Sequence, residues 1–256
     1  MKKALLSGQV ALITGAASGI GEAAARVIAN AGASVAALDR DAAGLDRVIS
    51  ELESAGCKAR ALPLDLADTA AIPAAVADVL AAFGRIDILV NSAGIAGERG
   101  PLLEQSEENW NRVHAINLTA PFLLMQHVGR HMVERGGGGR IVNVSSSSAF
   151  RARESIPAYG SSKAALVQLT RSAAADLAPH DINVNAVAPG VTATPMTKGV
   201  VDADGLREMV SDGPLANLFQ RVSQPEDVAA TILFLCLPAS RQITAQTIHT
   251  SAGAVV

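Results

Sequence analysis

Short, unbroken apolar runs alternate with longer amphipathic segments along this chain, and that alternation narrows the folds open to it. Val10 to Ile13, Val35 to Leu38, Ala59 to Leu64, Ile86 to Val90, Ile141 to Val144, Ile182 to Ala188 and Thr247 to Thr250 read as strands. Helical patterns lie between them: Gly21 to Asn30, a long one over Ser106 to Glu134, Pro157 to Leu177, and one opened by Pro225-Glu226-Asp227. Strands apolar on both faces must be covered on both faces. The pattern therefore predicts an α/β fold, a doubly wound and mostly parallel sheet of about seven strands with helices on either side. No linker, repeat or charge block interrupts the 256 residues, so a single domain over 1–256 is expected. Thr192 to Phe219 is the least regular stretch. It reads either as a flap over a substrate site or as an ordinary surface excursion.

In parallel sheets, ligands gather beyond the carboxyl ends of the strands. Gly15, Asp39, Asp65, Asn91, Ser146 and Pro189-Gly190 all occupy such ends. After the first strand comes Thr14-Gly15-Ala16-Ala17-Ser18-Gly19-Ile20-Gly21, a turn leading straight into a helix. Glycines let a backbone approach a ligand closely, and a helix N-terminus offers free N–H groups to a pyrophosphate. The alternative is a plain tight turn. Asp39 ends the second strand, where a carboxylate accepts from ribose hydroxyls and repels a 2′-phosphate; this favours NAD over NADP. Arg40 softens that preference, and Asp39 could instead cap the segment beginning at Asp41. Asp65 and Leu66 end the third strand, either at an adenine edge or as a cap. Asn91-Ser92-Ala93-Gly94 closes the fourth strand with small residues suited to a tight cofactor floor.

Tyr159 and Lys163 are four residues apart in a helix opened by Pro157, with Ser155 as the expected N-cap, and so share a face. A neighbouring ammonium and a helix N-terminus both favour phenolate, which predicts a lowered pKa and a tyrosine usable as a general acid/base. Otherwise the pair is an interfacial tyrosine beside a surface lysine. Asn117 lies four residues before Pro121, which has no N–H, so the helix should bend there and free the Asn117 carbonyl; an incidental kink is the alternative. Arg151 and Arg153, between Ser146 and Tyr159, read as a solvated loop in preference to a site for an acidic substrate. His127 and His131 have helical spacing but no evident third ligand, so no metal site is assigned. Gly136 to Gly139 precedes a strand and reads as a flexible turn.

A formal charge of −3 gives no electrostatic support for nucleic-acid binding. Met1-Lys2-Lys3 could start a signal peptide, but Ser7-Gly8-Gln9 breaks the apolar stretch that should follow. The longest strongly apolar runs, such as Ile232 to Leu237, are too short for a bilayer. Cys57 and Cys236 fit inert core thiols in a reducing compartment, so a soluble, cytoplasmic protein is expected.

Taken together, Thr14-Gly-x-x-x-Gly-x-Gly21, Asn91-x-Ala93-Gly94, Asn117, Ser146, Tyr159-x-x-x-Lys163 and Pro189-Gly190 with Thr194 resemble the short-chain dehydrogenase/reductase family over essentially the whole chain. The resemblance implies a single-domain, three-layer Rossmann fold, a homotetramer, and NAD(H) or NADP(H) as cofactor. It implies that Tyr159 exchanges a proton while the nicotinamide exchanges hydride, and that Ser146 holds the substrate oxygen. Lys163 would bind the nicotinamide ribose and tune Tyr159, and Asn117 would support a water in the proton relay. Val191, Thr192 and Thr194 would fix the carboxamide. Ser92 departs from the family's usual asparagine, and Thr250-Ser251-Ala252-Gly253 and Ala245 depart from its C-terminal pattern. The expected activity is NAD-dependent interconversion of a small-molecule secondary alcohol and its ketone. The runner-up is an NADPH-dependent carbonyl reductase of 3-oxoacyl-thioester type. A non-catalytic nucleotide sensor is a remote third.

Overall fold

Val10–Thr14 (β1) feeds two cores at once. Ala11 and Ile13 point to one face and Val10 and Leu12 to the other, as a period of two requires. The computed structural model describes residues 4–198, 202–213 and 215–255. Among these, β1 pairs with Ser34–Asp39 (β2) on one side, in register Ala11↔Val35. On the other side it pairs with Ile88–Asn91 (β4), in register Ala11↔Ile88. Ala59–Pro63 (β3), Gly139–Val144 (β5), Ile182–Pro189 (β6) and Thr247–Thr250 (β7) complete a parallel sheet in the order β3-β2-β1-β4-β5-β6-β7. Every strand read from the sequence is present, with ends shifted by a residue or two.

Helices Gly19–Asn30 (α1) and Ala42–Ser54 (α2) cover one face, with α1 packed on the later helix Pro225–Cys236. Ile28, Val48 and Ile232 are fully buried there. Ile72–Phe83 (α3) covers the opposite face. The long helix expected over Ser106 to Glu134 is instead Glu107–His114 (α4), a π turn at Ala115–Thr119, and Ala120–Arg135 (α5). Pro121 explains the break. It has no N–H to give the Asn117 carbonyl, and a π turn absorbs the mismatch. Ser106 caps α4 by accepting from the Asn109 N–H at 3.0 Å.

Pro157–Leu177 (α6) has the bounds read from sequence, with Pro157 in its first turn. Ser155 is not its cap. Ile156 holds that position, no side chain caps the helix, and Ser155 takes a left-handed backbone with a φ of 62°. The Thr192 to Phe219 stretch is more regular than expected. It contains Pro195–Lys198 (α7) and Ala203–Ser211 (α8), the latter capped by Asp202 accepting from Gly205 N–H at 2.8 Å. Positions 199–201 and 214 of that stretch lie outside the described residues, as do residues 1–3 of the signal-peptide reading. Pro225–Cys236 is α9, and Gln224 N–H donates to Asp227 at 2.7 Å across its first turn. Among the described residues, no helix is long and apolar enough to cross a membrane.

Candidate active site

The carboxyl ends of the strands open into a cleft of about 470 Å³. Its floor begins where β1 stops. The Thr14 hydroxyl accepts from the N–H groups of Ser92 and Ala93, both at 3.1 Å, and so locks the ends of β1 and β4 together. Gly15, Ser18, Gly19, Ile20 and Gly21 line the cleft at the start of α1. A Cβ on Gly21 would run into the carbonyl of Gly15, so the turn closes this tightly only with glycine. Asp39 lines the same end. One of its oxygens accepts from Ala17 N–H at 3.1 Å and the other from Asp41 N–H at 3.0 Å, so it braces the glycine turn. It is not the cap of α2. Asp41 takes that role by accepting from Gly44 N–H at 3.0 Å. Arg40 is exposed and also lines the cleft. Asp65 and Leu66 lie at the same end, Asp65 accepting from Ala67 N–H at 2.9 Å in a local turn.

At the other end stand Ser146, Tyr159 and Lys163, with Ala93 and Gly94 between the two groups. The Lys163 ammonium donates to the Val144 carbonyl at 2.8 Å, and the Ser145 hydroxyl donates to the Lys163 carbonyl at 2.9 Å. These bonds pin the first turns of α6 to the end of β5. Gly94 backs directly on Lys163. A Cβ there would stand 3.2 Å from Nζ. Pro189, Gly190, Thr192 and Thr194 form the remaining wall. Thr197 shapes it by donating to the Thr192 carbonyl at 2.6 Å and accepting from Thr194 N–H at 3.0 Å.

Three residues expected at the site do not line the cleft. Asn91 is buried and donates to Asn143 at 2.8 Å, fixing the ends of β4 and β5. Val191 accepts from Ser223 N–H through its carbonyl at 2.9 Å, next to the Thr192–Ser223 bridge. Asn117 is fully buried. Its amide accepts from Ile95 N–H and donates to the Ile95 carbonyl, both at 2.9 Å, and donates to Ser162 at 3.1 Å. Ser162 in turn donates to the Tyr159 carbonyl at 2.8 Å. Ile95, Ala96, Ile116 and Met196 line the cleft without having been singled out as binding residues. Apolar residues after a strand end carry no motif, so periodicity could not have found them.

The expected fall in the Tyr159 pKa is not what the geometry gives. Burial pushes the phenol upward, and this outweighs the downward pull of the Ser146 hydroxyl and of the Arg153 charge. The residue is only partly buried by surface area, which tempers that push. Lys163 stands 5.9 Å from the centre of the Tyr159 ring, and burial lowers its own pKa to about 8. It is therefore a weaker lever on the phenol than an exposed ammonium would be. Arg151 and Arg153 do stand on a loop, with Ala152 and Glu154 exposed, but their own side chains are not fully solvated. Both are partly buried, and Arg151 donates to the Ala254 carbonyl at 2.6 Å. Away from the cleft, His131 accepts from Ile86 N–H at 3.2 Å, and burial pushes the Cys236 thiol up to about 12, which suits an inert core residue.

A sequence family described as Enoyl-(Acyl carrier protein) reductase matches residues 15–255. The chain is 39% identical to the short-chain reductase protein NovJ of Streptomyces niveus, over 95% of this chain and 93% of that one. It is also 39% identical to the D-threitol dehydrogenase of Mycolicibacterium smegmatis, over 93% and 89% of the two. Among solved structures, a short chain dehydrogenase from Burkholderia cenocepacia in complex with NADP is 36% identical, with a TM-score of 0.89 over 98% and 99% of the two chains.

Proposed function

Because this chain belongs to the short-chain dehydrogenase/reductase family of oxidoreductases, we propose that it interconverts a secondary alcohol and its ketone with NAD, using Tyr159 as general acid/base. One observation carries the reading. Ser146, Tyr159 and Lys163 converge at one end of a cleft whose other end is a glycine turn at a helix N-terminus. The residues fit a dinucleotide. A Cβ at Gly15 would meet the Ala93 backbone and one at Gly21 the Gly15 carbonyl, so the turn needs glycine at both, and the first N–H groups of α1 suit a pyrophosphate. A nicotinamide bound at the Tyr159 end supplies or accepts hydride.

The protein's part is proton handling and positioning. In reduction, Tyr159 gives its proton to the carbonyl oxygen, and in oxidation it takes the proton from the alcohol. Ser146 stands beside that phenol and steadies the oxygen on which charge develops. Lys163, on the same helix face as Tyr159, would hold the ribose of a bound nicotinamide nucleotide. Thr192 and Thr194, which line the cleft, would hold its carboxamide, with Val191 contributing through the backbone. Asn117 is a positioning residue, since its amide couples the Ile95 loop to Ser162 and so to the first turn of α6. Tyr159→Phe is expected to lower kcat by about 10²–10⁴-fold while NADH still binds, read by fluorescence titration. Undiminished turnover would reject the assignment.

Asp39 supports NAD, because its carboxylate faces the cleft where a 2′-phosphate would lie. A reading as an NADPH-dependent carbonyl reductase rests on two observations: Arg40 lines the same end, and the related Burkholderia enzyme holds NADP. Asp39→Asn removes the charge and keeps an acceptor. It should move the NADPH-to-NADH ratio of kcat/KM upward by about tenfold, roughly 1.4 kcal/mol. A wild-type enzyme that already prefers NADPH strongly would overturn the NAD reading.

A further inference from the structure

Several arginines of the fold hold carboxylates, Arg26 and Arg47 on Glu22 and Arg85 and Arg135 on Asp87, and the partly buried Arg140 donates to the Gly139 carbonyl at 2.7 Å. Arg153 does neither. Among the described residues it forms no hydrogen bond or ion pair, though it is half-buried and Glu98 and Glu154 lie on the loops around it. Both glutamates are exposed. Arg153 sits in the 145–156 connection between β5 and α6, just outside the cleft lining, and its charge is felt by the Tyr159 phenol.

The surroundings are rigid. Gly100 N–H donates to the Ser155 carbonyl at 3.0 Å, which joins the loop after β4 to the loop before α6. The Asn109 amide of α4 accepts from Glu98 N–H at 2.8 Å and fixes the first of these loops. Phe150 packs edge-on against His249 with ring centres 4.5 Å apart, and Arg151 reaches the Ala254 carbonyl, so the C-terminal segment closes the third side. Arg99 and Arg151 add positive charge around Arg153. Together with burial, the larger influence, they make its guanidinium harder to keep charged. A half-buried cation without an anion is unfavourable unless one arrives.

We propose that Arg153 recognises a carboxylate on the substrate, so that the alcohol or ketone handled here belongs to a small hydroxy or oxo acid. This rests on the reading of Tyr159 as the proton donor and acceptor. A planar guanidinium matches a carboxylate through paired hydrogen bonds. Arg153 lies on the loop that joins Ser146 to Tyr159, which suits a carboxylate on a small substrate, whereas the phosphate of a carrier-bound acyl thioester lies many bonds from its carbonyl.

The test uses the NADH-saturated enzyme and matched sets: 3-hydroxybutyrate, mandelate and malate, their methyl esters, and phosphate monoesters that keep a free secondary hydroxyl, such as glycerol 1-phosphate. Binding is followed by NADH fluorescence, and kcat/KM is measured with NAD. At least one acid should be preferred over its ester by on the order of 10–100-fold, chiefly through KM. Arg153→Met should bring that ratio towards one, and Arg153→Lys should keep part of it. The proposal is overturned if no carboxylate binds, if esters match their acids, if only phosphate esters bind, or if Arg153→Met weakens acid and ester alike. Failure of the Tyr159 reading would appear separately, as turnover retained in Tyr159→Phe.

Discussion

Lys163 illustrates how much a single residue's surroundings decide. Its amine is 3% exposed, donates to the Val144 carbonyl, and titrates at about 8 instead of 10.5 because burial disfavours the charged form. The sign of the stability effect follows. Below pH 8 both folded and unfolded chains carry the proton, and the folded chain bears the full desolvation penalty. Between pH 8 and 10.5 the unfolded chain binds more protons, so stability rises with pH. Relative to Lys163→Met, the wild-type melting temperature should therefore climb by several degrees from pH 8 to 10, read by calorimetry. A difference that stays flat over that range would contradict a buried, depressed lysine. The Tyr159–Lys163 spacing was legible in the chain, because four residues on a helix always share a face. The direction of the phenol's pKa was not. It depends on how much of the β5 end and α6 close over the ring, and no local pattern encodes that.

At the scale of elements, the turn into α1 is the most demanding. Gly21→Ala places a methyl against the Gly15 carbonyl, with backbone on both sides and nothing flexible to yield. The variant should lose about 1–3 kcal/mol in urea denaturation and bind NADH much more weakly; unchanged affinity would mean the turn tolerates a side chain. Glycine spacing and position made this turn readable from sequence. The break in the 107–135 helix was half readable. Pro121 announced a lost hydrogen bond, but only packing decides whether a chain answers with a kink or with the π turn at Ala115–Thr119. Ser155 misled for a similar reason. A serine two residues before a helix-opening proline suits an N-cap locally, yet the contact of its carbonyl with Gly100 turns the backbone elsewhere.

Across the whole molecule, the amino ends of the central strands, opposite the cleft, are held by Asp87. Its side chain is 8% exposed and accepts from Val10 N–H at 2.9 Å and from Arg85 Nε at 2.8 Å, with Arg135 of α5 at 3.3 Å. Asp87→Ala strands a buried N–H and leaves two arginines without their carboxylate. It should lower unfolding free energy by about 3 kcal/mol while turnover per folded molecule is kept, because the cleft lies at the far ends of the strands. A loss below about 1 kcal/mol would make the cluster a surface decoration. Continuous apolar runs made the sheet legible. The loops that shape the substrate end were not, since Arg99 comes near Arg153, and Phe150 meets His249, only after the sheet has brought distant stretches together. The strand order has one more consequence. β1 forms the centre, β2 and β3 add on one flank, and β4 to β7 add in turn on the other. As the polypeptide leaves the ribosome, each new strand can dock on a free border, and no pairing already made has to be undone to admit the next.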